Sequence, residues 1–118
     1  MNKIDIENRL IDFSVKVVES ISLLEKRSEN LHLKDQAIRS CTAVALNYGE
    51  AQSAESRKDF IHKLGIVIKE LRETQINLKM LKRLNPNQQQ EVLASLINEN
   101  DQLLAIFHKT IQTAKQNS

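Results

Sequence analysis

The 118-residue chain has little that bends or breaks a backbone, with only 2 Gly and 1 Pro. An all-β domain needs a turn every ~8–12 residues and spends Gly and Pro on them, so that class is excluded. Gly49 and Gly65 stand alone, so neither a Walker loop nor a dinucleotide-binding loop can be built. The single cysteine, Cys41, rules out an internal disulfide; among small and apolar neighbours it reads as a buried small hydrophobe. Aromatic residues are four: Phe13, Tyr48, Phe60 and Phe107. No apolar run approaches the ~18 residues of a membrane span. The opening Met-Asn-Lys-Ile-Asp-Ile-Glu carries acids where a secretory signal needs apolar residues. The expectation is a cytoplasmic protein with no membrane partner. A net charge of +2 is too small to demand an anionic partner by itself.

What is present is helical. Apolar residues make up 41% of the chain, and they recur at intervals of three and four, the spacing of one helix face. The first helix is expected from about residue 4 to 27, with Ile6, Leu10, Phe13, Val17, Ile21 and Leu24 inward and Asp5 near its N-terminus. Residues 28–33 read as a polar break. The second helix is expected over about 34–54. It is rich in small residues, and a Gly inside it suggests a packing reason for Gly49. Ser56 followed by Asp59 resembles a capping box. The third helix, about 57–84, alternates four and three throughout: Phe60, Leu64, Val67, Leu71, Thr74, Leu78 and Leu81. Asn85-Pro86-Asn87 ends it, because Pro cannot continue a helix and disfavours helical geometry before it. The fourth helix is expected over about 88–115, capped by Asn87. Its seam is Leu93, Leu96, Asn100, Leu103, Phe107, Ile111 and Ala114, with the tail from Gln116 to Ser118 frayed. Four amphipathic helices with short links predict one all-α domain over residues 1–118, an antiparallel up-down-up-down four-helix bundle.

Catalytic chemistry finds little support. His32, His62 and His108 do not pair at zinc-ligand spacing. A di-iron bundle needs Glu-x-x-His on two helices; Glu29 to His32 matches once, inside the expected break. Glu70 and Glu73 lie one turn apart and read as a solvated face or structural ion pair rather than an acid pair in a cleft. No catalytic residue, metal, cofactor or small-molecule substrate is expected.

Charge distribution says more. Residues 56–84 hold Arg57, Lys58, Lys63, Lys69, Arg72, Lys79, Lys82 and Arg83 against Asp59, Glu70 and Glu73, a balance of +5 that leaves −3 for the rest. Lys58, Arg72 and Lys79 align at multiples of seven, flanked by Lys69, Lys82 and Arg83, with the acids on the other side. This is the pattern of a stripe that tracks phosphates, and also of a solvated helix face. With no aromatics interleaved, contacts would be to backbone, not stacked bases. On helix two, Ile38, Cys41, Ala45 and Tyr48 are expected to face inward. Arg39, Ala43, Leu46 and Glu50, with Asn47 nearby, line the opposite side. Small and apolar residues there suggest a subunit interface.

Several of these segments together resemble a known family. They are Arg39-Ser40, Asn47-Tyr48-Gly49-Glu50-Ala51, Lys58-Asp59-Phe60 with Leu64, and Lys69-Glu70-Leu71-Arg72-Glu73-Thr74 with Leu78 and Leu81. They are similar to the four-helix-bundle proteins encoded by intervening sequences in bacterial 23S ribosomal RNA genes, over about residues 8–115. The resemblance implies a small cytoplasmic bundle that assembles as a ring, often a homopentamer. It also implies an RNA- or DNA-binding role, suspected from the genomic setting and from a similar, strongly basic bundle in diversity-generating retroelements. It marks Arg39, Asn47, Glu50, Glu70 and Glu73 as network or interface positions, not catalysts. The alternative is a protein-interaction scaffold with no nucleic-acid role.

Overall fold

The structure, a computed structural model, describes residues 2–117. They form α1 (Lys3–Ser22), α2 (Ser28–Gln52), α3 (Arg57–Leu84) and α4 (Gln90–Gln116), with no strand among the described residues. Each helix packs on its sequence neighbours and α1 closes lightly on α4, giving an antiparallel bundle of 48 × 21 × 20 Å. The expected seams form the core. Leu64, Val67, Leu71, Thr74, Leu78 and Leu81 of α3 are fully buried, as are Leu10, Phe13, Val17 and Ile21 of α1. On α4 the seam is buried from Leu93 to Phe107, and Ile111 and Ala114 are half-buried. Each Leu or Phe taken from water contributes about 1.5–3 kcal/mol, so these four stripes are the main drive to fold.

Local chemistry sets several ends. Asn2 caps α1 by accepting from the Asp5 backbone N–H at 2.9 Å, and the Asp5 carboxylate accepts from the Asn2 N–H. Ser56 caps α3 by accepting from the Asp59 N–H at 3.0 Å. The Asp59 carboxylate turns instead to the Glu55 N–H, so the expected box is only half closed.

Three boundaries differ from expectation. First, α1 stops at Ser22, not Arg27. The N–H groups of Leu23 and Leu24 tighten onto the carbonyls of Ser20 and Ile21, although Leu24 stays buried. Second, residues 28–33 are the first turns of α2, not a break. Buried Asn30 donates to Glu25 O (2.9 Å) and exchanges amide hydrogen bonds with buried Asn85 (2.8 and 2.9 Å). The Lys34 ammonium reaches back to Leu24 O at 2.8 Å. Third, α4 begins at Gln90 without an Asn87 cap. Gln89 takes a left-handed conformation (φ 53°), and the Gln90 amide donates to Lys82 O and Asn85 O. These bonds tie both short connections together at one end of the bundle. At the chain's end, Gln116 is helical and Asn117 caps α4; Ser118 lies outside the described residues.

Candidate nucleic-acid interface

The third helix presents two different faces around its buried seam. The side toward α2 carries the acids. Arg39 reaches across from α2 to place Nη1 3.3 Å from the Glu70 carboxylate and Nη2 2.9 Å from Glu73. Glu70 is buried and Glu73 half-buried, so the guanidinium offsets the cost of desolvating Glu70. The hydrogen bond that Arg39 donates to Glu73, and then the Glu70 charge, hold the Arg39 guanidinium above its usual range. Farther along the same side, Lys63 meets Glu50 at 3.3 Å. Asn47 uses its amide on its own helix, donating to Ala43 O. Arg39, Glu50, Glu70 and Glu73 thus serve the α2–α3 contact inside one chain.

The outward side of α3 carries the cations. Lys58, Lys69, Arg72, Lys79 and Arg83 are exposed and Lys82 is half-buried. Among the described residues none of these six forms an ion pair, whereas Arg9, Arg27, Arg39 and Lys63 all do. Arg72 has one side-chain partner, donating to His108 Nε2 on α4 at 3.1 Å. That bond requires the neutral imidazole with its proton on Nδ1. The line from Lys58 to Lys79 spans 21 residues, about 32 Å of helix at 1.5 Å per residue.

The other sequence-picked positions fall apart. His32 and His62 are exposed, and Glu29 pairs with Arg27 at 3.0 Å. Among the described residues no group of three or more His, Cys, Asp or Glu is placed to hold a metal ion. On α2, Cys41 and Tyr48 face inward and Ala45 is half-buried, but Ile38 is 38% exposed, a correction to the expected inner face. Ala37, Val44 and Ala51 fill the core there instead, one step round the helix. On the opposite side Leu46 is 65% exposed and Ala43 half-buried. Gly49 has no packing reason within the chain, since a Cβ there meets nothing within 4 Å.

Sequence reasoning missed a second apolar surface. Ile4, Ile11, Val15 and Val18 repeat at 7-4-3 spacing and are all exposed on α1. Leu31 and Ile38 are exposed on α2 seven residues apart, in line with Ala45. The bonds from Ser14 Oγ to Cys41 O (2.9 Å) and from Lys34 to Leu24 O mark the line where α1 meets α2. At ~100° per residue both stripes fall on the outer side of that line, flanking one groove. Their 3–4 spacing is the signal in the sequence that marks them.

Comparison with known proteins follows the same outline. The family model described as 23S rRNA-intervening sequence protein matches residues 2–109. A crystal structure of a protein of unknown function from the S23 ribosomal protein family of Bacteroides thetaiotaomicron is similar, with a TM-score of 0.83 and 28% identity. The likeness covers 95% of this chain and 99% of that one. No curated protein matches.

Proposed function

The chain belongs to the 23S rRNA-intervening sequence protein family, and from that premise we propose that it is a non-enzymatic, self-assembling bundle that binds the backbone of nucleic acid through the outer face of α3. The observation that carries this reading is that, among the described residues, none of the six cations along this side of α3 has a carboxylate partner. A cation that serves the fold is normally paired with a carboxylate; five of these six are exposed on one rigid rod, and among the described residues Arg72 alone of them meets another side chain, the neutral His108. Phosphate contacts release condensed counterions, so such a surface gains affinity from charge alone. The stripe lacks aromatics, so it fits backbone and shape contacts rather than base stacking.

Self-assembly is the second part of the proposal. The exposed apolar stripes of α1 and α2, with Leu46, are more than scattered surface hydrophobes, and covering them against another copy removes them from water. Assembly would also repeat the α3 stripe and raise the effective concentration of cations along a nucleic acid.

Titration of structured RNA and of duplex DNA at several salt concentrations tests the first part. We expect binding at low salt that weakens by about 10³ or more between 50 and 200 mM, the size set by roughly six phosphate contacts. Absence of binding at low salt would leave the scaffold reading, which the apolar stripes favour on their own.

A further inference from the structure

A cleft opens at the end of the bundle where α1 and α3 begin and α2 and α4 finish. Two adjoining openings, of about 700 and 640 Å³, share Ile6, Phe60, Thr110 and Ala114 as walls. Tyr48 and Phe107, whose ring centroids lie 5.6 Å apart, line the larger one. The cleft exists because this layer is built with small side chains. Ala51 on α2 and Ala54 just after it face Thr110 and Ala114 of α4, which stand where earlier turns of α4 use Leu. The nearest polar link between α1 and α4 is the Arg9 fork onto Glu99 and Gln102, one turn farther in, and beyond it the two helices leave the space open.

The charge around this cleft is one-sided. Lys3 and Arg57 line the larger opening and Lys109 the smaller, and among the described residues no Asp or Glu lines either, in a chain with 15 acids. Among the described residues none of the three cations forms an ion pair. Glu7, whose charge acts on the Tyr48 hydroxyl, lies outside the lining. Two adjoining, mainly apolar openings, each within the roughly 300–1,000 Å³ of small-molecule sites and rimmed by cations, select for an apolar chain with an anionic head.

We propose that the cleft binds a free fatty-acid carboxylate. The alkyl chain lies against Ile6, Phe60 and Phe107, and the carboxylate faces Lys3 and Arg57 on the larger opening, with Lys109 adding positive charge from the adjoining one. This proposal does not depend on the nucleic-acid reading. The chain's burial supplies affinity in proportion to apolar area, and the cations discriminate the head.

The test titrates dodecanoate, below its critical micelle concentration, into the full chain by calorimetry. Dodecyltrimethylammonium is the oppositely charged control. We expect saturable uptake of one dodecanoate per chain and at least about tenfold weaker binding of the ammonium. Arg57→Glu with Lys109→Glu, both at exposed positions, should weaken dodecanoate at least about tenfold. Thr110→Leu with Ala114→Leu should fill the cleft and abolish uptake while the helical signal and melting temperature are kept. Equal affinity for the two amphiphiles, unchanged uptake by the filled variant, or flotation with phosphatidylglycerol vesicles without uptake of free dodecanoate would each overturn the proposal.

Discussion

Asn100 sits on the α4 seam, fully buried, with neither its amide N–H₂ nor its amide oxygen bonded to another protein group. A buried polar group left without a partner costs about 1–3 kcal/mol, while a Leu of similar size would add apolar contacts. Asn100→Leu is therefore expected to raise the unfolding free energy by about 1–3 kcal/mol in urea; a loss of stability would show that the amide is satisfied in solution. Cys41 and Tyr48 carry a second residue-scale effect. Burial pushes the Cys41 thiol above its usual 9.0. Burial, and then the Glu7 charge, raise the Tyr48 phenol above 10.0. The folded state then holds these protons longer than the unfolded one. Their contribution is complete below the unfolded values and is lost as pH rises through them. Stability should fall from about pH 9 upward, and Cys41→Ala with Tyr48→Phe should flatten that fall in unfolding curves measured across pH 7–11.

At the scale of elements, the lock between the two connections holds the ends of four helices. Asn85→Ala removes one half of the amide pair with Asn30, together with one of the two acceptors of Arg27 Nη2 (2.8 Å), the other being Leu84 O. It should cost on the order of 1–3 kcal/mol, and a double-mutant cycle with Asn30→Ala should give a coupling of at least about 0.5 kcal/mol. The same lock explains what the sequence could and could not tell. The α3 seam was legible because one period runs unbroken from Phe60 to Leu81 in a helix of 28 residues, and packing follows period. The start of α2 was not legible. Asn30 and Lys34 are polar residues whose burial is made affordable by partners in other segments, Asn85 among them, and a local window sees only their polarity. The glycines give a further check. Gly49 and Gly65 are inside helices with open space at Cβ, so each Gly→Ala change should stabilise the chain by about 0.5–1 kcal/mol. Gly49 also lines up with the exposed α2 stripe. A Gly49→Ala protein that is stabilised but assembles less would place that stripe at a subunit contact.

For the whole molecule, charge and apolarity are segregated around the bundle. A stripe of cations without ion pairs runs along α3, and the larger exposed apolar surface follows the α1–α2 groove. The basic stripe was legible in the sequence because charge survives without structure. Its freedom from ion pairs was not, since that depends on the acids turning toward α2 and Arg39. The α1 stripe escaped because Ile11 and Val15 are the same residue types as the core. Ile11→Glu with Val15→Glu should reduce the assembled form to a single 13.5 kDa chain by light scattering, with the helical signal kept. A wild-type particle of 13.5 kDa at micromolar concentration would contradict self-assembly. The most direct test of the account is the salt dependence of nucleic-acid affinity in wild type and in Lys58→Glu, Arg72→Glu and Lys79→Glu. The account predicts a plot of log affinity against log salt with a slope of about −5 on duplex, shallower by roughly 1 for each cation removed. A flat plot, or a slope unchanged in all three variants, would contradict it.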